Sequence, residues 1–340
     1  MKIGVTIAGT HSYQYALADC VKRVKKAIYH AQTRRPEIEA VFILSTDAEG
    51  VDYARQVCPE ANVEVTHMEE GGVRYKDQAQ LLIADLQQRG FDRAVAEDVD
   101  LCWTVESDVL VPYNALSCML DMLQFDDGYY DVAFVTYPSQ SGSAFLGGHG
   151  SPSNPISEDF LVEERDVPEE LLDKYNKAKE QVEKPDAEED AKKAWADVNE
   201  EVKKCPPRDN VFGLNAKQWR RRGWFDNAFP GIGRGAVLET DWTGLGCNLL
   251  TRKALALASF DGYEGKGTQD LFLNWRRWKA NDLRMCVISH CVCEHVITKE
   301  DGTRWVALAH HEPQGECKGH LRIQLVPYKP EPFKIENKPA

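Results

Sequence analysis

The sequence predicts an α/β protein whose mostly parallel central sheet is flanked by helices and interrupted by an inserted helical hairpin. Three observations carry this expectation. Strand and helix patterns alternate through the first 66 residues, an apolar β-branched run at 101–105 ends on closely spaced acids, and residues 158–204 combine dense charge with narrow apolar stripes. Strand–helix–strand repeats build parallel sheets, and such sheets bind ligands at the carboxyl ends of their strands.

Residues 3–8 form a buried-strand pattern that ends at Gly9–Thr10–His11–Ser12. A helix is expected over 13–32, with Tyr13, Leu17, Val21, Val24 and Ile28 on one face and Ser12 as its N-cap. Residues 40–45 read as a second strand leading into Asp47, followed by a short helix at 51–57 and a third strand at 62–66. Gly71–Gly72 opens a helix expected over 73–88, with Arg74, Lys76 and Asp77 on its first turns. After the 101–105 strand come a helix at 113–123, started by Pro112, and a strand at 131–136. Neither Gly-x-Gly-x-x-Gly nor Gly-x-x-x-x-Gly-Lys-Ser/Thr occurs, so the usual dinucleotide and P-loop signatures are missing.

The 101–105 run delivers Glu106 and Asp108 to a sheet edge, with Ser107 pointing the other way if strand alternation continues. Two convergent carboxylates suit a hard divalent cation that bridges to substrate phosphate. The same pattern also closes an ordinary polar strand end.

The 340 residues carry a net charge of −13, which by itself disfavours a polyanionic partner. Residues 158–204 hold 17 acidic and 9 basic side chains, so most of that charge belongs to one segment and says little about the rest. No run of roughly 18 apolar residues exists to span a bilayer. Residues 3–7 read as a first strand and not as a signal peptide, so a soluble, cytoplasmic protein is expected. Ten cysteines are scattered, many inside apolar runs, as reduced core thiols are. Cys291–Val–Cys293, with His290 and His295 nearby, admits a zinc site, but no second cysteine pair lies at finger spacing.

Residues 138–157 form a Gly/Ser/Pro loop. Leu171, Tyr175, Ala178 and Val182 make one helical stripe, Pro185 breaks it, and Ala187, Ala191, Ala194, Trp195, Val198 and Val202 make a second. That is a helical hairpin, either a plain insertion or a lid or acceptor-binding element. Residues 217–224 pack Arg220, Arg221 and Arg222 between two tryptophans, a cluster able to hold a phosphate or stack a base or sugar, or else a solvated helix end. A polar aromatic loop with Trp242 turns into a strand and helix near 248–254. Thr268 is a natural N-cap that places Asp270 in the first turn of a helix, with Leu271, Asn274, Trp275 and Trp278 facing inward. Residues 283–293 read as the next strand, with His295 at its end, and strand-like pieces follow at 305–309 and 321–326.

The order of these pieces resembles the GT-A type of nucleotide-sugar glycosyltransferase. That family carries an Asp-x-Asp triplet, a later Glu-Asp at a helix start, and a histidine after the following strand; here they correspond to Glu106–Ser107–Asp108, Gln269–Asp270 and His295. The resemblance covers 1–136 and 236–296. It implies a Rossmann-like GT-A fold with a nucleotide-sugar-binding half at 1–136, an insertion at 137–235, an acceptor and catalytic half at 236–300, and a C-terminal extension at 301–340. It further implies that Asp108 and His295 hold Mn²⁺ or Mg²⁺ on the donor diphosphate, imidazole favouring Mn²⁺. Glu106 would lie beside the ribose or the metal. Ala8, Gly9, Thr10 and Asp47 would surround the nucleoside, with Arg74 and Asp77 near the donor. Asp270 would be the general base, and Trp242 and Gln269 would face the acceptor; Arg220, Arg221 and Arg222, outside the stretch the resemblance covers, are acceptor candidates by their own charge. Two departures stand out: Glu replaces the first Asp of the triplet, and Gln269 replaces the usual Glu before the base. The expected function is metal-dependent sugar transfer from a nucleotide-diphosphate sugar to an acceptor hydroxyl on a glycan, lipid, protein or modified DNA base. A nucleotidyltransferase and a non-catalytic nucleotide- or sugar-binding protein are the alternatives.

Overall fold

The computed structural model describes residues 1–67, 76–124, 130–138, 167–184, 187–205, 237–265, 268–288, 291–299, 301–311 and 321–330. Among these, the strands form two sheets. The larger contains β1 (Lys2–Ala8), β2 (Glu39–Thr46), β3 (Asn62–Val65), β4 (Leu101–Glu106), β6 (Val132–Phe134), β7 (Val237–Thr240), β8 (Cys247–Thr251) and β9 (Met285–Ile288) in the order β3-β2-β1-β4-β8-β6-β9-β7. β3, β2, β1 and β4 pair in parallel, β8 runs antiparallel between β4 and β6, and β7 is antiparallel to β9. The fold is therefore the expected α/β class, a mostly parallel Rossmann-like sheet flanked by helices. The smaller sheet, in the order β12-β11-β10-β5, consists of β5 (Val109–Leu110), β10 (Glu294–Thr298), β11 (Arg304–His311) and β12 (Leu321–Pro327).

Helices α1 (Gln14–Arg34), α2 (Val51–Val57), α3 (Lys76–Ala96) and α4 (Ala115–Gln124) connect the strands of the first half. α1 buries Ala16, Cys20, Val21, Val24, Ala27, Ile28 and Ala31. The expected cap at Ser12 is not formed. Ser12 lies inside a 3₁₀ turn, His11–Tyr13, and α1 starts one residue later than expected, with Tyr13 in the cap position and no side-chain cap. α3 runs on to Ala96, well past the expected end at Gln88. Gly90, inside the helix, packs against the sheet: a Cβ there would sit 3.2 Å from Thr6 Cβ.

The chain divides into two compact units, 150–223 on one side and 1–149 with 224–340 on the other. In the former, α5 (Glu169–Val182) and α6 (Glu189–Lys204) form the expected hairpin, with Tyr175 and Trp195 rings 4.7 Å apart. In the latter, β7 is an additional strand that the sequence pattern did not disclose. After α7 (Arg252–Ala256) comes α8 (Gln269–Phe272), which widens into a π-helical stretch at Leu273–Trp278 and ends in a 3₁₀ turn, Lys279–Asn281. The widening corrects the expected inner face. Gln269, Leu273, Asn274 and Trp278 are buried, at the spacing of a wider turn, while Leu271 and Trp275 are only half-buried.

Two further corrections concern the site. β4 stops at Glu106, and Ser107–Asp108 is a turn that carries the chain from the larger sheet into β5 of the smaller one. Strand alternation therefore does not govern Asp108. Likewise, the strand expected over 283–293 ends at Ile288, and His295 lies inside β10, in the other sheet. No helix among the described residues is long and apolar enough to cross a membrane.

Candidate active site

The parallel register places Ala8 beside both Ser45 and Glu106, so the carboxyl ends of β2, β1 and β4 finish at one level. Gly9 follows at the point of closest approach to the acidic turn. A Cβ on it would collide with the Ser107 side chain, and the turn is tied down by Ser107 N–H to the Ala8 carbonyl at 3.1 Å. Thr10 is buried just beyond.

Asp47 caps the turn after β2. Its Oδ1 accepts from Gly50 N–H and His11 N–H, both at 3.0 Å, and its Oδ2 faces His11 Nδ1 at 2.5 Å. His11 Nε2 in turn lies 3.2 Å from Glu49 Oε2. Both Asp47 oxygens are thus engaged, by Gly50 of its own turn and by His11 of the loop after β1. This places Asp47 at the expected crevice but as the residue that shapes it.

Asp108 and His295 meet because β5 pairs with β10. His295 stands opposite Val109, and Val296 N–H donates to the Asp108 carbonyl at 2.8 Å. The two side chains, both buried, bring His295 Nε2 to 3.4 Å from Asp108 Oδ2. On the other side of the ring, Nδ1 lies 2.7 Å from the Pro138 carbonyl, which can only accept. Nδ1 therefore carries the proton, and a neutral ring would aim the Nε2 lone pair at a carboxylate oxygen. That contact is favourable only with a proton or a cation between the two. Burial pulls the His295 pKa down, but Asp108, the Pro138 carbonyl and Glu106 outweigh it and leave the pKa raised.

Glu106 and Asp270 complete the acidic face. The half-buried Glu106 carboxyl is pushed well up by burial and by the charges of Asp108 and Asp270, against opposition from His295 and the Tyr137 hydroxyl. Gln87 Nε2 reaches its other oxygen at 3.4 Å. Asp270 is raised to about 6 by burial, while its own backbone hydrogen bond and the Thr268 side chain pull it down. Thr268 occupies the N-cap position but makes no side-chain capping bond to the backbone.

The helix carrying Asp270 is anchored by Asn274. Its Nδ2 donates to the Thr243 carbonyl at 2.9 Å and to the Asp270 carbonyl at 2.6 Å, and its Oδ1 accepts Thr243 N–H at 3.2 Å. The anchor also brings the loop of buried Trp242 against the helix start, where Gln269 is buried as well. Arg74, Arg220, Arg221, Arg222 and the side chain of Asp77 lie outside the described residues, as do the 217–224 cluster and His290. Cys291 and Cys293 are buried and free.

Whether the residues fit a divalent cation can be judged from the donor set. Two ligands in adjacent positions around an ion at ~2.1 Å stand roughly 3 Å apart, close to the 3.4 Å between Asp108 Oδ2 and His295 Nε2. A ring nitrogen held by a backbone carbonyl while the other faces the ion is the usual arrangement of a metal-binding histidine. Among the described residues no group of three or more side chains forms a complete metal cage. A two-ligand site suits an ion shared with substrate phosphates.

Sequence reasoning missed Tyr137, Gln87, His11 and Asn274. Tyr137 had a visible signal, an aromatic residue at the carboxyl end of a strand directly before a proline. Gln87 and His11 had none, because their roles depend on partners distant in the chain, and Asn274 was legible only as a polar residue on the expected inner face.

No protein-family model matches the chain, and no curated protein matches it. Among solved structures, the chain is similar to the inositol-1-phosphate CTP transferase from T. maritima, at 10% identity over 85% of this chain and 87% of that one, with a TM-score of 0.40. It is also similar to mannosyl-3-phosphoglycerate synthase from Rubrobacter xylanophilus, at 14% identity over 48% and 47% of the two chains, TM-score 0.28. A third is glucosyl-3-phosphoglycerate synthase from Mycobacterium tuberculosis, at 11% identity over 40% and 44%, TM-score 0.26. These are distant likenesses, and the activity of this chain does not follow from them.

Proposed function

We propose that the protein is a metal-dependent glycosyltransferase that moves a sugar from a nucleotide-diphosphate sugar to an acceptor hydroxyl. The observation that carries this reading is the Asp108–His295 pair at the carboxyl ends of the strands, electrostatically linked through Glu106 to Asp270. Asp108 and His295 would hold Mn²⁺ or Mg²⁺, which when bound neutralises the charge that develops on the diphosphate leaving group. The loops at Ala8–Gly9–Thr10 and Asp47 would receive the nucleoside end of the donor, since Gly9 leaves the backbone bare there and Asp47 holds the loop shape. Glu106 would sit between the ribose and the metal ligands.

In the reaction the acceptor oxygen bonds to the anomeric carbon, the anomeric C–O bond to the diphosphate breaks, and the nucleoside diphosphate leaves with the electron pair. The acceptor proton passes to Asp270. A carboxyl with a pKa of about 6 is ionised at neutral pH yet more basic than a solvated aspartate, which suits that role. Trp242 and Gln269, beside the Asp270 helix start, would border the acceptor.

The test is incubation with Mn²⁺ and a panel of nucleotide sugars, following slow donor hydrolysis. Hydrolysis of one donor, lost with EDTA and in Asp108→Asn, is the expected result. Pyrophosphate release from a nucleoside triphosphate and a sugar phosphate, with no donor hydrolysis, would make the protein a nucleotidyltransferase. Tight donor binding with no turnover on any partner would make it a binding protein.

A further inference from the structure

Tyr137 and Pro138 are neighbours in sequence, and each holds a different member of the acidic site. The Tyr137 hydroxyl donates to Glu106 Oε2 at 3.2 Å and accepts Gly246 N–H at 3.0 Å. The Pro138 carbonyl takes His295 Nδ1 at 2.7 Å. The Tyr137 ring also stands edge-on to the His295 ring, with centroids 5.4 Å apart and planes at 85°, and meets Phe134 in the same way at 6.0 Å. Tyr137 is 1% exposed, and Gly246 has no room for a side chain because a Cβ would lie 2.5 Å from the phenol ring. Ring and hydroxyl are therefore confined on every side, and the hydroxyl uses its donor and an acceptor lone pair at once.

We propose that Tyr137 is a positioning residue that holds Glu106 and His295 in place beside Asp108, the hydroxyl acting on Glu106 and the ring on His295. This rests on the reading of Asp108 and His295 as metal ligands with Glu106 beside the metal. Glu106 has a flexible side chain beside two other carboxylates, which repel it. The Tyr137 hydroxyl is its closest hydrogen-bond donor, Gln87 being farther at 3.4 Å. The ring stands edge-on to the imidazole while the Pro138 carbonyl holds Nδ1, and so keeps Nε2 turned toward Asp108. Partners that orient metal ligands in this way typically change metal affinity by about 10–100-fold when removed.

Two variants separate the parts. Tyr137→Phe deletes the hydroxyl and keeps the ring; Tyr137→Leu deletes both. Mn²⁺ affinity is read by electron paramagnetic resonance of the free ion, and the His295 tautomer by its ring nitrogen-15 shifts. Tyr137→Phe is expected to weaken Mn²⁺ binding about 10–100-fold and to leave His295 protonated on Nδ1; Tyr137→Leu is expected to lose that tautomer as well. Mn²⁺ binding by Tyr137→Phe equal to that of the unaltered protein overturns the hydroxyl's role, and unchanged His295 shifts in Tyr137→Leu overturn the ring's. Should Tyr137→Leu fail to fold, Tyr137→Met, which also lacks the ring, is read in its place, and Tyr137→Phe decides the hydroxyl's role. If the unaltered protein binds neither Mn²⁺ nor Mg²⁺, the metal reading of the site falls, and the nitrogen shifts alone decide whether Tyr137 orients His295.

Discussion

His295 Nε2 lies 3.4 Å from Asp108 Oδ2, although the two residues come from opposite halves of the chain, Asp108 from the turn before β5 and His295 from β10. Only the β5–β10 pairing unites them. Asp108→Asn keeps the shape of the side chain and removes its charge, and His295→Ala removes the facing nitrogen. Each is expected to weaken Mn²⁺ binding beyond the ~100-fold that outer partners account for, measured by spin resonance or calorimetry. Wild-type affinity in Asp108→Asn would remove Asp108 from the site.

Asp270 makes the pH dependence specific. As a base it must be ionised, and its pKa is raised to about 6. The transfer rate is therefore expected to be flat above about pH 7 and to fall about tenfold per unit below 6. Asp270→Asn should lower the rate by about 10²–10⁴-fold and abolish that limb. The same shift acts on stability with the opposite sense. Because the folded state holds this proton more tightly than the unfolded state, Asp270 costs stability as pH rises from 3.8 through 6 and the whole cost is present at neutral pH. Asp270→Asn should thus melt higher than the unaltered protein at pH 7.5, with the gain shrinking toward pH 5. A variant that melts lower at pH 7.5 would contradict the burial of this carboxyl.

Gly9 and Ser107 are fitted to each other, since any Cβ on Gly9 meets the serine side chain. Gly9→Ala is expected to cost about 1–3 kcal/mol through overpacking. Adding Ser107→Gly should recover part of that loss, and a double-mutant cycle in denaturant measures the coupling. Additive losses would mean that the crowding lies elsewhere.

Asn274 is fully buried and serves three backbone groups at once. Asn274→Ala removes the partner of the Thr243 N–H and carbonyl, while the Asp270 carbonyl keeps Leu273 N–H, and each buried unsatisfied group costs about 1–3 kcal/mol. A loss of at least about 2 kcal/mol in urea unfolding is expected. Hydrogen exchange should show the Trp242–Thr243 loop and the start of the Asp270 helix opening together.

Much of the fold was legible because its cause is local. The apolar runs of β1, β2 and β4 and the 3.6-residue stripes of α1, α5 and α6 can be read from neighbours along the chain, and alternation of strand and helix implies the parallel sheet. The acids of Glu106–Ser107–Asp108 were visible as the polar end of one such run. The end of α3 was not legible in this way: the helix runs past the expected 88 to Ala96, packed on the sheet through the contact of Gly90 with Thr6.

What the sequence by itself determined, then, is the set of elements and which of them end in carboxylates, because hydrophobic periodicity depends on residues only a few positions apart. The tertiary structure alone decided how those ends combine. It turned the Asp108 segment out of the larger sheet, set His295 opposite Val109, rotated the Asp270 helix through a π-turn, and slid Tyr137 between Glu106, Gly246 and His295. Each of these rests on pairing between segments far apart in the chain, where hydrogen-bond register and packing choose the partner and no short stretch of sequence carries the signal.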